Sequence, residues 1–307
     1  MSRPASTPMR HAAAPRARLR AGRLLAWTAL GLMLAITVIP LWMVVKTSLL
    51  PNKTLFSNAA SLIPHHPTLD NYARVLGLLS AHRGLQLGGS GAHIDILRAL
   101  RNSLIFTGLI VLMQTCSAAM AAYAFARLRF PGRSTLFALF VGSMMIPGVV
   151  TVIPNFILLK QLGLLNTMAG MVAPFCLMQG FSVFFLRQFF LSIPRDVEEA
   201  ARLEGASHAY IFTRIVLPLS GTPLATIALL TAINMWNEFL WPYLAGRDPS
   251  LQVIPVALQF FKSQTPQGQP DWTGLMAAAS VAIAPTVLLL LAFGRRVVES
   301  VQFSGGK

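Results

Sequence analysis

Hydrophobic residues along this chain gather in long uncharged stretches. Six such runs occupy residues 24–45, 102–126, 134–159, 161–186, 215–237 and 272–294. A bilayer core about 30 Å thick is crossed by roughly 20 apolar residues in helical form, so each run is long enough to span. None shows the two-residue alternation of a barrel strand, which leaves helices as the way to satisfy the backbone in lipid. Runs three and four are separated by Lys160 alone, and Gln161, Gly163 and Asn166 supply a polar hairpin there. A seventh stretch, 251–261, is too short to cross and is followed by Gln264, Pro266, Gly268 and Pro270. It reads as an interfacial or re-entrant piece. The pattern predicts an all-α polytopic membrane protein with six transmembrane helices.

Composition supports this reading. Hydrophobic residues make up 54% of the 307 and charged residues 11%, against roughly 25% charged in ordinary globular proteins. That balance excludes a disordered chain and a coiled coil. The two cysteines, Cys116 and Cys176, both fall inside apolar runs and read as free thiols, so no disulfide framework is available. A formal charge of +15 is compatible with nucleic-acid binding in principle. Here the basic residues lie in short clusters between the apolar runs, where positive-inside bias explains them. With the N-terminus inside, one side collects Arg3, Arg10, Arg16, Arg18, Arg20 and Arg23, then the groups at 127–133, 187–214 and 295–307. Both termini are therefore expected in the cytoplasm, with outside loops at about 47–101 and 245–271. The first run has a basic flank but exceeds the length of a signal core, and no A-x-A-like site follows it, so it reads as a retained helix. The expected organisation is a basic N-terminal arm at 1–23, a transmembrane domain at 24–295 and a cytoplasmic tail at 296–307.

The inside loop between runs four and five, residues 193–219, is the most informative segment. Asp196 is placed to cap a helix, with Glu199 three residues later completing a capping box. Val197, Ala200 and Ala201 share a face at helical spacing, and the alanines keep that face thin enough for close approach by another body. Gly205 supplies the left-handed residue that ends such a helix. Ser207 then caps a second helix running through Tyr210, Phe212 and Ile215, and Leu217-Pro218 opens the fifth span.

Glu199, Ala200, Ala201, Gly205, Ile215, Leu217 and Pro218, with their spacings, resemble the EAA loop of binding-protein-dependent ABC importer permeases. Further stretches are similar to the maltose-type carbohydrate permeases: TSLLPN at 47–52, TLDNYARVL at 68–76, NSLIFTG at 102–108, MMIPGVVTVIPNF at 144–156, GLLNTMAGMVAPF at 163–175, NMWNEFLWP at 234–242 and the tail QFSGGK at 302–307. The chain departs from that pattern at 77–95, which looks like an insertion, and at Glu204, where the family usually has Asp. The resemblance implies a type I ABC importer permease fold in a bacterial inner membrane. It also implies a second permease subunit in a heterodimer, two ATPase subunits that carry ATP and Mg, and an external binding protein. The cargo would be an oligosaccharide, a polyol or a glycerol-phosphate, moved by alternating access.

No enzymatic chemistry is legible in this chain. It contains no G-x-x-x-x-G-K-[ST] phosphate loop, and its six histidines show no zinc-site spacing. No catalytic residue, metal ligand or bound cofactor is expected. The competing reading, an ion-coupled secondary transporter, calls for an internal repeat of interrupted helices and buried midplane acids, and neither is seen. Pro147 and Pro154 in run three, and Gly170, Pro174 and Gly180 in run four, mark irregular backbone suited to a translocation path. In run five Asn234, Asn237 and Glu238 fall at i, i+3 and i+4 and are candidate path residues on one face. Counted from Leu217, Glu238 lies about 32 Å up the helix, near the outer interface, with Trp236, Trp241 and Tyr243 as an aromatic belt. Asn234 lies deeper and has the better claim to touch cargo.

Overall fold

The computed structural model describes residues 16–56, 61–79, 81–86, 94–264 and 271–305, and every regular element among them is helical. The first half runs α1 (Arg16–Ser48), α2 (Asp70–Val75), α3 (Ala81–Gln86), α4 (Ile96–Arg127), α5 (Arg133–Ser143), α6 (Val152–Gln161), α7 (Met168–Val172) and α8 (Gly180–Ser192). The second half runs α9 (Arg195–Leu203), α10 (His208–Ile211), α11 (Leu217–Leu219), α12 (Gly221–Trp236), α13 (Leu240–Ala245), α14 (Ile254–Ser263) and α15 (Trp272–Gly305). Of the expected insertion at 77–95, residue 80 and residues 87–93 lie outside the described part, as do most of the arm at 1–23 and the last two residues of the tail.

Three of the six expected spans, α1, α4 and α15, are single helices long and apolar enough to cross a membrane. The other three are bent pairs. Arg133–Ser143 and Gly148–Gln161 meet at 94°, Met168–Phe175 and Gly180–Ser192 at 51°, and His208–Leu219 and Gly221–Trp236 at 78°. The first break has a proline cause. Pro147 disfavours helix at Ile146, and a short 3₁₀ turn at Gly148–Thr151 follows. Pro154 breaks nothing: it sits in the first turn of α6, where a missing N–H costs no helical hydrogen bond. In run four the chain leaves the helix after a 3₁₀ turn at Ala173–Phe175 that contains Pro174. It re-enters at Gly180, where a Cβ would stand 2.6 Å from the Phe140 carbonyl oxygen. Glycine there allows α8 to lie against α5.

Run five departs most from expectation. Its predicted start, 215–220, belongs to the preceding arm, and the spanning helix begins at Gly221 beyond the 78° bend. Pro218 can return no N–H to Arg214, and the turn before it widens into a π-helix at Phe212–Val216.

The core sits where α4, α8, α12 and α15 meet. Ala118, Ala119, Ala122 and Ala126 present a small-residue face on α4, and Val183, Leu186 and Phe190 of α8 close on it. Ile211 and Val216 of the arm join the same cluster. By contrast Leu24, Leu25, Trp27 and Met33 of α1 are each about two-thirds exposed or more, so this apolar surface is left uncovered by the rest of the described residues.

At the opposite end of α4 a polar network ties the long loop after α1 to the start of α15. Asn71 donates to the carbonyls of Ser48 and Leu50, both at 2.8 Å. Arg74 forms an ion pair with Asp271 at 2.8 Å, and Thr273 donates to Asn71 Oδ1 at 3.2 Å.

Candidate functional site

Residues 193–219 fold into the helix, bend and second helix that their sequence predicts, but the entry differs. Pro194 is the N-cap of α9, with extended backbone, so the helix opens at Arg195. Asp196 is therefore inside the first turn, and no side chain caps the helix. The capping box from Asp196 to Glu199 does not form, because Pro194 occupies the N-cap and Asp196, already helical in the first turn, cannot take that place. Asp196 and Glu198 still place negative charge at the helix N-terminus, where it is favourable.

The exit follows expectation in detail. Gly205 has φ +84°, with Ala206 N donating to Ala201 O at 3.0 Å and Gly205 N donating to Arg202 O at 2.9 Å. These are the two hydrogen bonds of a Schellman cap. A Cβ at Gly205 would meet nothing within 4 Å, so the demand for glycine is conformational and not spatial. Ser207 then accepts from Tyr210 N at 3.2 Å and caps α10.

The seven motif residues separate into two groups. Ala201, Ile215 and Leu217 are half-buried against the core cluster. Glu199, Ala200, Gly205 and Pro218 are exposed. With Val197 at 42% and Leu203 at 91% exposure, α9 turns an apolar edge outward while its other side packs on the bundle.

What holds α9 in place is a residue that sequence reasoning passed over. Glu198, 3% exposed, sits 2.7 Å from Arg127 Nε at the end of α4, and each side chain of the pair is 4% exposed. The two atoms meet as charges and not through a straight hydrogen bond. Arg202 approaches the other Glu198 oxygen at 3.8 Å. Arg127 Nη2 also donates to the carbonyls of Phe190 and Ile193, both at 2.7 Å, which satisfies the end of α8. Arg187 of α8 returns the favour, donating from Nε to Phe125 O near the end of α4 at 3.2 Å, with its guanidinium 4.1 Å from the Phe137 ring centroid. Thus α4, α8 and α9 share one latch. Two adjacent glutamates look alike in sequence, and only their directions on the helix separate them: Glu198 points with Ala201 into the bundle, and Glu199 does not.

The candidate path residues of run five do not share one helical face. Asn234 lies within α12, about 20 Å from Gly221 along the helix. It is exposed, and its side chain makes no hydrogen bond among the described residues. Asn237 is the C-cap, and its amide donates to Ile233 O at 2.7 Å. Glu238 stands past the helix end and accepts from Trp241 N at 3.1 Å, holding the start of α13. The count from Leu217 does not apply, because the chain turns by 78° before α12 and leaves the helix after Trp236. Nor do the tryptophans form a belt. Trp236 is 5% exposed and donates to Ala282 O at 3.0 Å, and Trp241 is 3% exposed and donates to Met171 O at 3.1 Å. Buried indole N–H groups take carbonyl partners inside the bundle.

Comparison with known proteins agrees with this architecture. A family model described as the binding-protein-dependent transport system inner membrane component matches residues 114–302. Over 274 residues the chain is 32% identical to the arabinooligosaccharides transport system permease protein AraQ of Halalkalibacterium halodurans, covering 89% of this chain and 92% of that one. It is 30% identical over 276 residues to the sn-glycerol-3-phosphate transport system permease protein UgpE of Salmonella typhi, covering 89% and 93%. It is 28% identical over 287 residues to the sulfoquinovosyl glycerol transport system permease protein SmoH of Agrobacterium fabrum, covering 93% and 94%. A solved chain from a bacterial ABC transporter involved in the import of the acidic polysaccharide alginate superposes with a TM-score of 0.78 at 22% identity, covering 94% of this chain and 99% of that one. The fold is that of an ABC importer permease.

Proposed function

The chain belongs to the family of binding-protein-dependent transport system inner membrane components, and from that premise we propose that the arm 193–219 is where a separate ATPase subunit drives transport. The chain itself is a multi-pass membrane permease and not an enzyme. An ion-coupled mechanism is not favoured beside relatives that are permeases of ABC importers. ATP and Mg belong on the ATPase subunits, and the remaining partners are an external binding protein and a second permease subunit in a heterodimer. The apolar surface of α5, the break after it and α6, with Leu139, Met145 and Ile153 exposed, suits that second permease or lipid. The arrangement 1–23, 24–295 and 296–307, with both termini cytoplasmic, follows the distribution of arginines.

The observation that carries the reading is the latched arm. Its outward edge, Val197, Ala200 and Leu203, is apolar and free, while Glu198 ties the same helix to α4 and α8. A push on that edge therefore moves the ends of two packed helices, and the π-turn and 78° bend link it to α12. Closure of the ATPase pair would rock the bundle between inward and outward access. Irregular backbone at 144–151 and 173–179 frees polar main-chain groups, which supports reading these segments as part of a path. The cargo is a sugar or polyol derivative, the class shared by the relatives' names, and Asn234 offers an amide for its hydroxyls.

Gly205→Val tests the arm. A β-branched residue at φ +84° costs about 1–3 kcal/mol locally and unseats the bend. The variant should insert and assemble, yet lose uptake and the stimulation of ATP hydrolysis by loaded binding protein. Unchanged uptake and stimulation would remove this arm from the mechanism.

A further inference from the structure

An open cleft of about 820 Å³ lies between the end of α4, the turn into α5 and α9. Five arginines line it (Arg127, Arg129, Arg133, Arg195 and Arg202) against Glu198 and Glu199. Arg127 and Arg202 face Glu198, and Arg133 donates to Leu128 O at 3.0 Å. Arg129 and Arg195 have no acidic partner among the described residues. The lining thus carries uncompensated positive charge in a concave space, the arrangement that attracts an oxyanion. Arg195, Glu199 and Arg202 occupy positions i, i+4 and i+7 of α9, a face different from that of Val197 and Ala200. The cleft and the free apolar edge are separate surfaces of one helix.

We propose that this cleft binds a phosphate oxyanion, held by Arg129 and Arg195, and that its source is the headgroup of an acidic phospholipid. Arginine matches phosphate through paired N–H donors. The lipid source is favoured by Leu128 and Phe130, which give the lining an apolar part for glycerol and acyl carbons. It is favoured too by position, since the ends of α4 and α8 and the start of α5 meet there, and basic pockets between spanning helices take acidic headgroups. The proposal rests on the reading of this end as the membrane's cytoplasmic surface. A bound headgroup would bridge the α4–α5 turn to α9 and add a second tie beside the Glu198 latch.

The test uses the full chain in phosphatidylcholine nanodiscs with and without phosphatidylglycerol, and reads retained lipid by native mass spectrometry. Wild type should retain phosphatidylglycerol. Arg129→Gln with Arg195→Gln should weaken retention by about tenfold to thirtyfold, and high salt should weaken it in wild type. Arg98→Gln, at the other end of α4, should change nothing. The single variant Arg195→Gln, at an exposed position, keeps the test sound if the double variant melts early. Release of the lipid by inorganic phosphate, with phosphate then retained by wild type and not by the variant, assigns the same site to free phosphate. Equal lipid retention by wild type and both variants overturns the proposal. So does displacement of the lipid by added ATPase subunits, which would give the cleft to an acidic protein segment. Retention needs no transport, so failure here leaves the permease reading standing.

Discussion

Two buried ion pairs close opposite ends of the bundle, Arg127–Glu198 beside α9 and Arg74–Asp271 at the start of α15, and their carboxylates are served differently. Asp271 accepts from both Arg74 terminal nitrogens at 2.8 and 2.9 Å and from Gly274 N at 2.9 Å. It acts as the N-cap of α15 as well as a charge partner. Glu198 has two guanidinium groups near it and no straight hydrogen bond from Arg127 Nε, whose terminal nitrogen serves the carbonyls at the end of α8. The Arg74–Asp271 pair is a fixed joint between α2 and the start of α15. The Arg127–Glu198 pair joins three helices, one of which is the helix with a free outer edge. A tie made mostly of charge tolerates small rotations better than one made of several directional hydrogen bonds. That difference suits one end to anchoring and the other to being moved.

Breaking the α9 latch should have the largest effect. Glu198→Ala leaves Arg127 buried without its counter-ion, a change that costs about 3–5 kcal/mol. It should lower the melting temperature in detergent and abolish uptake per inserted transporter. Asp271→Ala should be milder in stability, because Arg74 at 15% side-chain exposure can turn towards water; about 1–3 kcal/mol is expected. Uptake per inserted transporter should survive it. If the two variants lose uptake equally after correction for the amount inserted, the contrast between anchor and latch is wrong.

The smallest effects are expected in the run-five residues, at the far end of α12 from the bend. Asn234→Leu should lower uptake while leaving assembly and melting unchanged, since its amide has no hydrogen-bond partner among the described residues. Glu238→Gln keeps an oxygen for Trp241 N and should change uptake less. The reverse order, with normal transport by the asparagine variant, would make the carboxylate the functional group.

Much of this was legible in the residues. Uninterrupted runs became α1, α4 and α15, each long and apolar enough to cross a membrane as one helix, with Pro40 inside α1 and Pro285 inside α15. Gly205 and Ser207 were readable because each acts through its own backbone neighbours. The bend at Ser220 was not, since 215–237 is uncharged throughout and hydropathy alone does not register a 78° turn. The burial of Trp236 and Trp241 depends on carbonyls of α15 and α7, remote in sequence. The same holds for Glu198, whose partner is 71 positions away, whereas Asp196 and Glu199 matched a local pattern that Pro194 overrides.

The central claim is that the outer edge of α9 meets an ATPase, and a cross-link from that edge tests it most directly. Leu203→Cys, in a chain with Cys116 and Cys176 replaced by Ser, places one thiol at a position of α9 that is 91% exposed. In membranes containing the assembled transporter, a short bifunctional reagent should join this residue to the ATPase subunit, with a yield that changes when ATP is bound. A cross-link to the external binding protein, or none to the ATPase under either condition, would contradict the account.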